Sequence, residues 1–169
     1  MDAEQLRAAQ APLKKTYCED PASAQLTLTA RGRLLADRPA VTIETGHGRV
    51  TAGLHPAAGG DGSDACSGDM LLEALASCAG VTLKAVATAM GIAIRSGSVS
   101  AEGDMDFRGT LGVDKEVAVG FQRIRLSFRL DTDASDEQLD TLLRLSERYC
   151  VVFQTLRQPP VLSLSRERA

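Results

Sequence analysis

The spacing of apolar residues along the chain predicts strands at both ends of a long helical region. In residues 25–33 apolar and polar positions alternate, which is typical of a half-buried strand. The same alternation is clearest in residues 121–130. Residues 41–44 and 49–54 predict two short strands around a glycine-containing turn. With the first strand they make an antiparallel meander the simplest arrangement.

A long apolar segment, residues 69–91, predicts the central helix of the fold. Its charged residues, Glu73 and Lys84, lie on one narrow stripe, and the remaining surface is apolar or small. We therefore expect a helix that runs buried against a sheet and ends at Gly91. Because the segment carries two charges and many Ala and Thr residues, we interpret it as a core helix and not as a membrane span.

A second long helix is predicted from Ser135, where Gln138 three residues later completes a capping-box pattern, to Cys150. Residues 92–107 favour a strand, with a bulge expected at Gly103. Residues 161–165 favour a last strand. The N-terminal residues 1–23 favour a short helix or arm that Pro12 ends. The order of elements predicts one α+β domain over residues 1–169.

Composition and charge reduce the number of possible functional classes. The chain has 169 residues, of which 44% are apolar, enough for the core of one domain. Nineteen basic residues against 22 acidic ones give a net charge of −3 without a basic block, which argues against a nucleic-acid partner. The first ten residues lack the pattern of a signal peptide, and we expect a cytoplasmic protein.

The chain contains four cysteines, Cys18, Cys66, Cys78 and Cys150. None forms a C-x-x-C pair, and His47 and His55 both lie in loops, so a metal site is not expected. For a single cysteine, a buried inert thiol is the more common role, and we assign Cys18 and Cys66 to it. A Cys-His hydrolase built from Cys78 and either histidine has no supporting motif.

Two segments resemble the signatures of the OsmC/Ohr family, which comprises osmotically inducible protein C-like and organic hydroperoxide resistance proteins. Residues 67–78 (SGDMLLEALASC) contain an acid, two aliphatic residues and small residues that lead to Cys78. Residues 145–152 (LSERYCVV) place Cys150 near the end of the second long helix. The chain departs from the family pattern at Gly68 and Val151, where many members have proline, and at Asp69, which is shorter than the usual glutamate.

The resemblance implies an α+β homodimer with antiparallel sheets packed around two long helices, the first central and buried. It implies a peroxidase in which Cys78 attacks an organic hydroperoxide, Cys150 resolves the product, and a cellular dithiol supplies the electrons. No cofactor or metal is implied. A reactive thiolate needs a lowered pKa, and the family provides an arginine paired with an acid. Arg33 and Asp69 match best, with Arg31 and Arg38 as alternatives.

Other interpretations stay open from the sequence. Asp69 fits a capping role at the helix N-terminus at least as well. Arg33 is equally explained as a solvated strand residue. The whole chain also fits an OsmC-like stress-associated binding protein without turnover, an alternative that the departures at Gly68, Asp69 and Val151 favour. The sequence does not separate the OsmC branch from the Ohr branch.

Overall fold

The structure is a computed structural model that describes residues 1–46 and 48–168. The strands are β1 (Arg31–Leu34), β2 (Val41–Thr45), β3 (Gly48–Gly53), β4 (Ala65–Cys66), β5 (Ser96–Met105) and β6 (Phe121–Asp131). The helices are α1 (Ala3–Glu19), α2 (Ser67–Met90), α3 (Phe107–Thr110), α4 (Asp136–Tyr149) and α5 (Val151–Arg157). Pro21–Ala24 and Pro56–Ala58 form short 3-10 turns. The predicted α+β class is confirmed.

The first sheet has the strand order β1-β2-β3-β4. Its first three strands form the predicted antiparallel meander, and β4 adds to β3 in parallel. The first strand is shorter than predicted: it begins at Arg31, and residues 25–30 pair with no strand among the described residues. Leu26 and Leu28 are exposed there. Alternation alone does not make a strand where no partner strand lies beside it.

The second sheet is the antiparallel hairpin β5-β6. Its inner face pairs Val99 with Phe128 and Ala101 with Leu126, and β5 packs against α2. The register shifts between Asp104 and Met105, one residue after the Gly103 where the bulge was expected. The Phe121 ring lies over Gly103, 2.4 Å from the position that a Cβ would occupy. A side chain at this position would displace the ring.

Helix α2 is central, as predicted, since it packs against β5, α4 and α5. Its buried side chains form one stripe spaced by four residues: Leu75, Ala79, Leu83 and Ala87. Gly91, with a φ of 69°, ends the helix as expected. The expectation that only a narrow polar stripe meets solvent is wrong for the protomer, because Leu71 and Val81 are exposed as well. Helix α1 also contacts α2, and among the described residues part of the apolar surface of α2 nevertheless stays exposed.

Three features near the termini correct the sequence-based predictions. Pro12 does not end α1, which begins with an Asp2–Gln5 capping box and continues to Glu19. A proline inside a helix removes one main-chain hydrogen bond and its ring crowds the carbonyl four residues earlier, but α1 continues past Pro12 all the same. Helix α5 was not predicted. Residues 161–165 form no strand: the Val161 and Leu164 side chains are 99% and 101% exposed, and no strand lies beside them.

Candidate active site

The Cys78 and Cys150 side chains meet where α2 packs against the corner between α4 and α5. Cys150 is both the C-cap residue of α4 and the N-cap residue of α5, and its backbone is extended. Its N–H donates to the carbonyl of Ser146 (3.0 Å), and its carbonyl accepts from the N–H of Gln154 (2.9 Å). These bonds fix the corner, which points the Cys150 side chain into the core, where it is 1% exposed. Half-buried Cys78 packs against it in one apolar cluster, and both thiols are free.

The surroundings of Cys78 favour its thiolate. Burial by itself raises the pKa of Cys78, but the net pKa is lowered because four neighbouring hydrogen-bond donors favour the thiolate. In decreasing effect these are the N–H of Val152, the thiol of Cys150, the N–H of Val151 and the hydroxyl of Thr82. Hydrogen bonds thus outweigh desolvation at this thiol. A lowered pKa is the property that the predicted role of Cys78 requires.

Cys150 has the opposite setting. Burial raises its pKa, and the neighbouring Cys78 raises it further, both as a hydrogen-bond acceptor and as a negative charge. The N–H groups of Phe153 and Val152 offset only part of this effect. The opposite shifts mean that Cys78 loses its proton at lower pH than Cys150.

None of the candidate arginines affects Cys78 within the described part of the chain. The groups that shift the pKa of Cys78 include no cation. Arg31 and Arg33 lie on β1, all of whose residues are exposed. Arg38 forms a two-point ion pair with Asp64, which joins the loop after β1 to the segment before β4. The Arg38 guanidinium is therefore engaged in its ion pair with Asp64.

Asp69 lies in the first turn of α2, nine residues before Cys78. Nine helical residues correspond to about 13.5 Å along the axis and about half a turn around it. Asp69 and Cys78 thus occupy opposite faces of α2, and the protomer does not bring them together. The N-cap residue Cys66 makes no side-chain capping bond. The negative charge of Asp69, in the first turn, interacts favourably with the positive end of the helix dipole.

The remaining candidates lie away from Cys78. His55 stacks on Phe107 with ring centroids 5.1 Å apart, and its Nδ1 accepts from the N–H of Ala57 (3.0 Å). It lines a cavity at the start of α2 together with Cys66, and Cys78 does not line that cavity. His47 lies outside the described residues. Cys66 is half-buried, but Cys18 is exposed on α1, so the buried role expected for Cys18 is wrong.

An apolar cavity of about 510 Å³ reaches the cysteine pair from the side of Cys150. It lies between β6 and α4, and its walls include Leu126, Phe128, Leu139 and Leu143. Ser146 and Glu147 add polar groups to its lining. The cavity therefore places a mostly apolar surface beside Cys150.

Over residues 1–46 and 48–168, no group of three or more His, Cys, Asp or Glu side chains is arranged to hold a metal ion. Helix α2 is the one described helix long and apolar enough to cross a membrane by length and composition alone. Its packing against β5, α4 and α5 gives it a core position in this fold.

The sequence did not identify three of the donors that lower the pKa of Cys78. Thr82 carries a visible signal, since side chains four residues apart on a helix are neighbours. The N–H groups of Val151 and Val152 carry none, because α5 was not predicted and any residue other than proline supplies a backbone donor.

Comparisons with known proteins agree with this architecture. Residues 60–165 match the sequence profile of the OsmC-like protein family. No curated protein has a sequence that matches the chain. An OsmC-like protein from Mycoplasma pneumoniae has a similar structure, with a TM-score of 0.66 and 17% identity, covering 80% of this chain and 90% of that one.

Two similar structures carry peroxide-related names. One is an organic hydroperoxide resistance protein OsmC from Legionella pneumophila, with a TM-score of 0.61, 15% identity and coverage of 79% and 93% of the two chains. The other is the organic hydroperoxide resistance protein OhrB of Bacillus subtilis, with a TM-score of 0.55, 19% identity and coverage of 78% and 93%. At these identities they show the fold alone. The profile match extends over more than half of the sequence, and the chain therefore belongs to the OsmC/Ohr family.

Proposed function

We propose that the protein is a thiol-dependent peroxidase that reduces organic hydroperoxides. The observation that carries the proposal is the contact between two thiols whose pKa values are shifted in opposite directions, with Cys78 lowered and Cys150 raised. A peroxidase needs one thiolate to attack and one neighbouring thiol to resolve. Membership of a family that includes organic hydroperoxide resistance proteins supports the same chemistry.

In the first step the Cys78 thiolate attacks the terminal oxygen of the hydroperoxide. A sulfur–oxygen bond forms, the oxygen–oxygen bond breaks, and the sulfur loses two electrons. The alkoxide leaves and takes a proton from solvent to become an alcohol. Cys78 is then a sulfenic acid, which further hydroperoxide would oxidise irreversibly unless a thiol reacts first.

In the second step Cys150 attacks the sulfur of that sulfenic acid. A disulfide forms, the sulfur–oxygen bond breaks, and the hydroxide combines with the proton of Cys150 and leaves as water. A dithiol reductant restores both thiols by exchange and becomes a disulfide itself. We place this cycle in the cytoplasm, where such reductants keep protein thiols reduced. Two cysteine sulfurs carry all the electrons, and the proposed cycle uses no cofactor.

The substrate class follows from the surroundings of the thiols. Leu75, Ala79, Val152 and Phe153 pack around the cysteine pair. An organic hydroperoxide buries its apolar substituent against such a surface, at about 25 cal/mol for each Å² removed from water. Hydrogen peroxide has no apolar substituent. We therefore assign the enzyme a preference for organic hydroperoxides.

We propose a homodimer as the working unit. The protomer exposes 13,033 Å². A compact monomer of 17.9 kDa exposes about 8,000 Å². The excess includes the apolar face of α2 and the detached residues 25–30 and 161–165. Arg33 and Asp69 are both exposed and do not meet Cys78 in the protomer. We assign them to an ion-paired frame that the second copy completes.

A binding protein without turnover is the second candidate. The apolar cavity beside Cys150 favours it, because such a cavity holds an apolar ligand without any redox step. In the described protomer no arginine is among the groups named as shifting the pKa of Cys78, and this also favours a binding protein.

Peroxide consumption separates the two candidates. Purified protein with a dithiol reductant is given cumene hydroperoxide and, in parallel, hydrogen peroxide, and consumption of both reductant and peroxide is followed. We expect rapid, repeated turnover of cumene hydroperoxide and much slower turnover of hydrogen peroxide. If neither peroxide is consumed faster than by the reductant alone, peroxidase activity is excluded. The function assigned to the protein is then ligand binding without turnover.

A further inference from the structure

Helices α4 and α5 are separated by a single residue, Cys150. Its backbone is extended, with a φ of −74° and a ψ of 108°, whereas the residues on both sides of it are helical. In a continuous helix the N–H of Val151 would donate to the carbonyl of Glu147, four residues earlier. Among the described residues Val151 makes no such bond. The helix is therefore interrupted at the residue that the proposed cycle uses for resolution.

Gln154 bridges this interruption from the α5 side. Its side-chain amide nitrogen donates to the carbonyl oxygen of Glu147 (2.8 Å), and its backbone N–H donates to the carbonyl oxygen of Cys150 (2.9 Å). The first bond occupies the acceptor that Val151 would use in a continuous helix. The second bond belongs to the first turn of α5. One residue thus contacts the last turn of α4 and the interrupting residue together.

The residues at the interruption do not enforce it by their own conformational preferences. Val151 has an N–H and can continue a helix, whereas a proline would lack the N–H and disfavour a helical residue before it. The Gln154 bond is partly buried, so water competes less for it than at an exposed site. Arg157 also pairs with the Glu147 carboxylate, but both side chains are more exposed and such a pair contributes little. Gln154 therefore makes the stronger of the two side-chain bonds between α4 and α5 in the described chain.

We propose that Gln154 is a positioning residue whose side-chain bond to Glu147 keeps the helix interrupted and so holds the Cys150 thiol against Cys78. The inference rests on the proposed function, in which Cys150 resolves the oxidised Cys78. Without this bond, the Glu147 carbonyl is free to accept from Val151, and a continuous helix becomes accessible. A change of Cys150 from extended to helical backbone turns its side chain, so the thiol spends less time in contact with Cys78. Formation of the disulfide then becomes less favourable.

The test measures the equilibrium between the reduced pair and the Cys78–Cys150 disulfide in glutathione redox buffers, by mass analysis of the peptides that contain the two cysteines. Gln154→Met removes the amide donor and keeps an unbranched side chain of similar length. Ser135→Ala is the matched control at the opposite end of α4, where the Ser135 hydroxyl accepts from the N–H of Gln138 (3.3 Å). Circular dichroism checks folding, and Gln154→Ala replaces Gln154→Met if the latter does not fold.

We expect the equilibrium constant for disulfide formation to fall about fivefold in Gln154→Met, the factor that corresponds to the net contribution of one hydrogen bond. Ser135→Ala should lower the melting temperature, because it removes a helix cap, but keep the wild-type equilibrium constant. An unchanged constant in Gln154→Met, or an equal fall in Ser135→Ala, overturns the inference.

A proline at position 151 separates positioning from general destabilisation. Val151→Pro should enforce the interruption without Gln154, because proline offers no N–H to Glu147 and favours an extended residue before it, which Cys150 already is. Proline is also well tolerated at the first position of a helix. Adding Gln154→Met to Val151→Pro should therefore leave the equilibrium constant nearly unchanged. An undiminished fall in this background would show that Gln154 does not act through the interruption and would overturn the inference.

The measurement of this equilibrium needs no peroxide, so it is independent of the proposed turnover. If the protein consumes peroxide but the constant does not move in Gln154→Met, only the role of Gln154 is refuted. If the constant moves but the wild type consumes no peroxide, only the peroxidase is refuted.

Discussion

Cys78 and Cys150 pack against each other, and this contact helps to shift their pKa values in opposite directions. The Cys150 thiol lowers the pKa of Cys78, and the Cys78 sulfur raises that of Cys150, which burial raises most. The N–H groups of Val152 and Val151, at the corner between α4 and α5, also lower the pKa of Cys78. The order of events in the proposed cycle follows: Cys78 ionises and attacks first.

The first prediction concerns pH. Because the pKa of Cys78 is lowered, the reactive thiolate persists at pH values below the usual range of a thiol and is lost as the pH falls through that lowered pKa. The raised pKa of Cys150 delays its ionisation to more alkaline pH. Alkylation followed peptide by peptide should modify Cys78 at lower pH than Cys150. Equal midpoints for Cys78 and Cys150, or a lower midpoint for Cys150, would contradict the assignment.

The second prediction separates attack from resolution. Cys78→Ser should reduce peroxide consumption to that of the reductant alone, because a serine hydroxyl without a base is a weak nucleophile. Cys150→Ser should complete one rapid turnover and then accumulate sulfinic acid, seen by intact mass as two added oxygens. The wild type should lose two hydrogens as the disulfide forms. Cys18→Ser and Cys66→Ser are the controls. A loss of turnover in either variant would show that the reaction uses that cysteine and would contradict the proposed site.

The third prediction concerns the arginines. If a second copy brings Arg33 to Cys78, Arg33→Ala should raise the alkylation midpoint of Cys78 by about one to three pH units. Arg31→Ala is the matched control on the same strand. Arg38→Ala should leave the midpoint unchanged and lower the melting temperature, because it removes the ion pair with Asp64. If the Cys78 midpoint is unchanged in all three variants, none of these arginines lowers the pKa of Cys78.

The sequence predicted the elements whose stability is local. The capping box at Ser135 and the glycine at residue 91 mark helix ends through short-range bonds, and both are confirmed. Local pattern also located the cysteine pair, since each member lies in a recognisable segment. What the pattern missed depends on tertiary neighbours. Residues 161–165 alternate like a strand but have no strand beside them in the protomer.

The same distinction applies within the site. The sequence placed Asp69 near Cys78 by resemblance, but the helical period puts the two on opposite faces of α2 in the protomer. The donors from α5 depend on how α4 turns at Cys150, and no short-range signal in the sequence indicates that turn. Thr82 was predictable from its spacing alone, although spacing does not reveal where its hydroxyl points.

The last prediction tests the homodimer through the uncovered face of α2. The Val81 side chain is 72% exposed in the protomer, although it lies on the most apolar helix of the chain. If a second copy covers this face, Val81→Asp buries an unpaired charge in the interface, at a cost of about 3–5 kcal/mol. Val119, which is 73% exposed in the loop before β6, provides the matched control. Sedimentation should show a dimer for the wild type and Val119→Asp, and monomer or unfolded chain for Val81→Asp. The two valines are equally exposed, but Val81 lies on α2, where Leu71 is exposed as well, whereas Val119 lies in a loop. A stable wild-type monomer at micromolar concentration, or a Val81→Asp variant that dimerises normally, would contradict the interface, and with it the proposal that a second copy supplies Arg33.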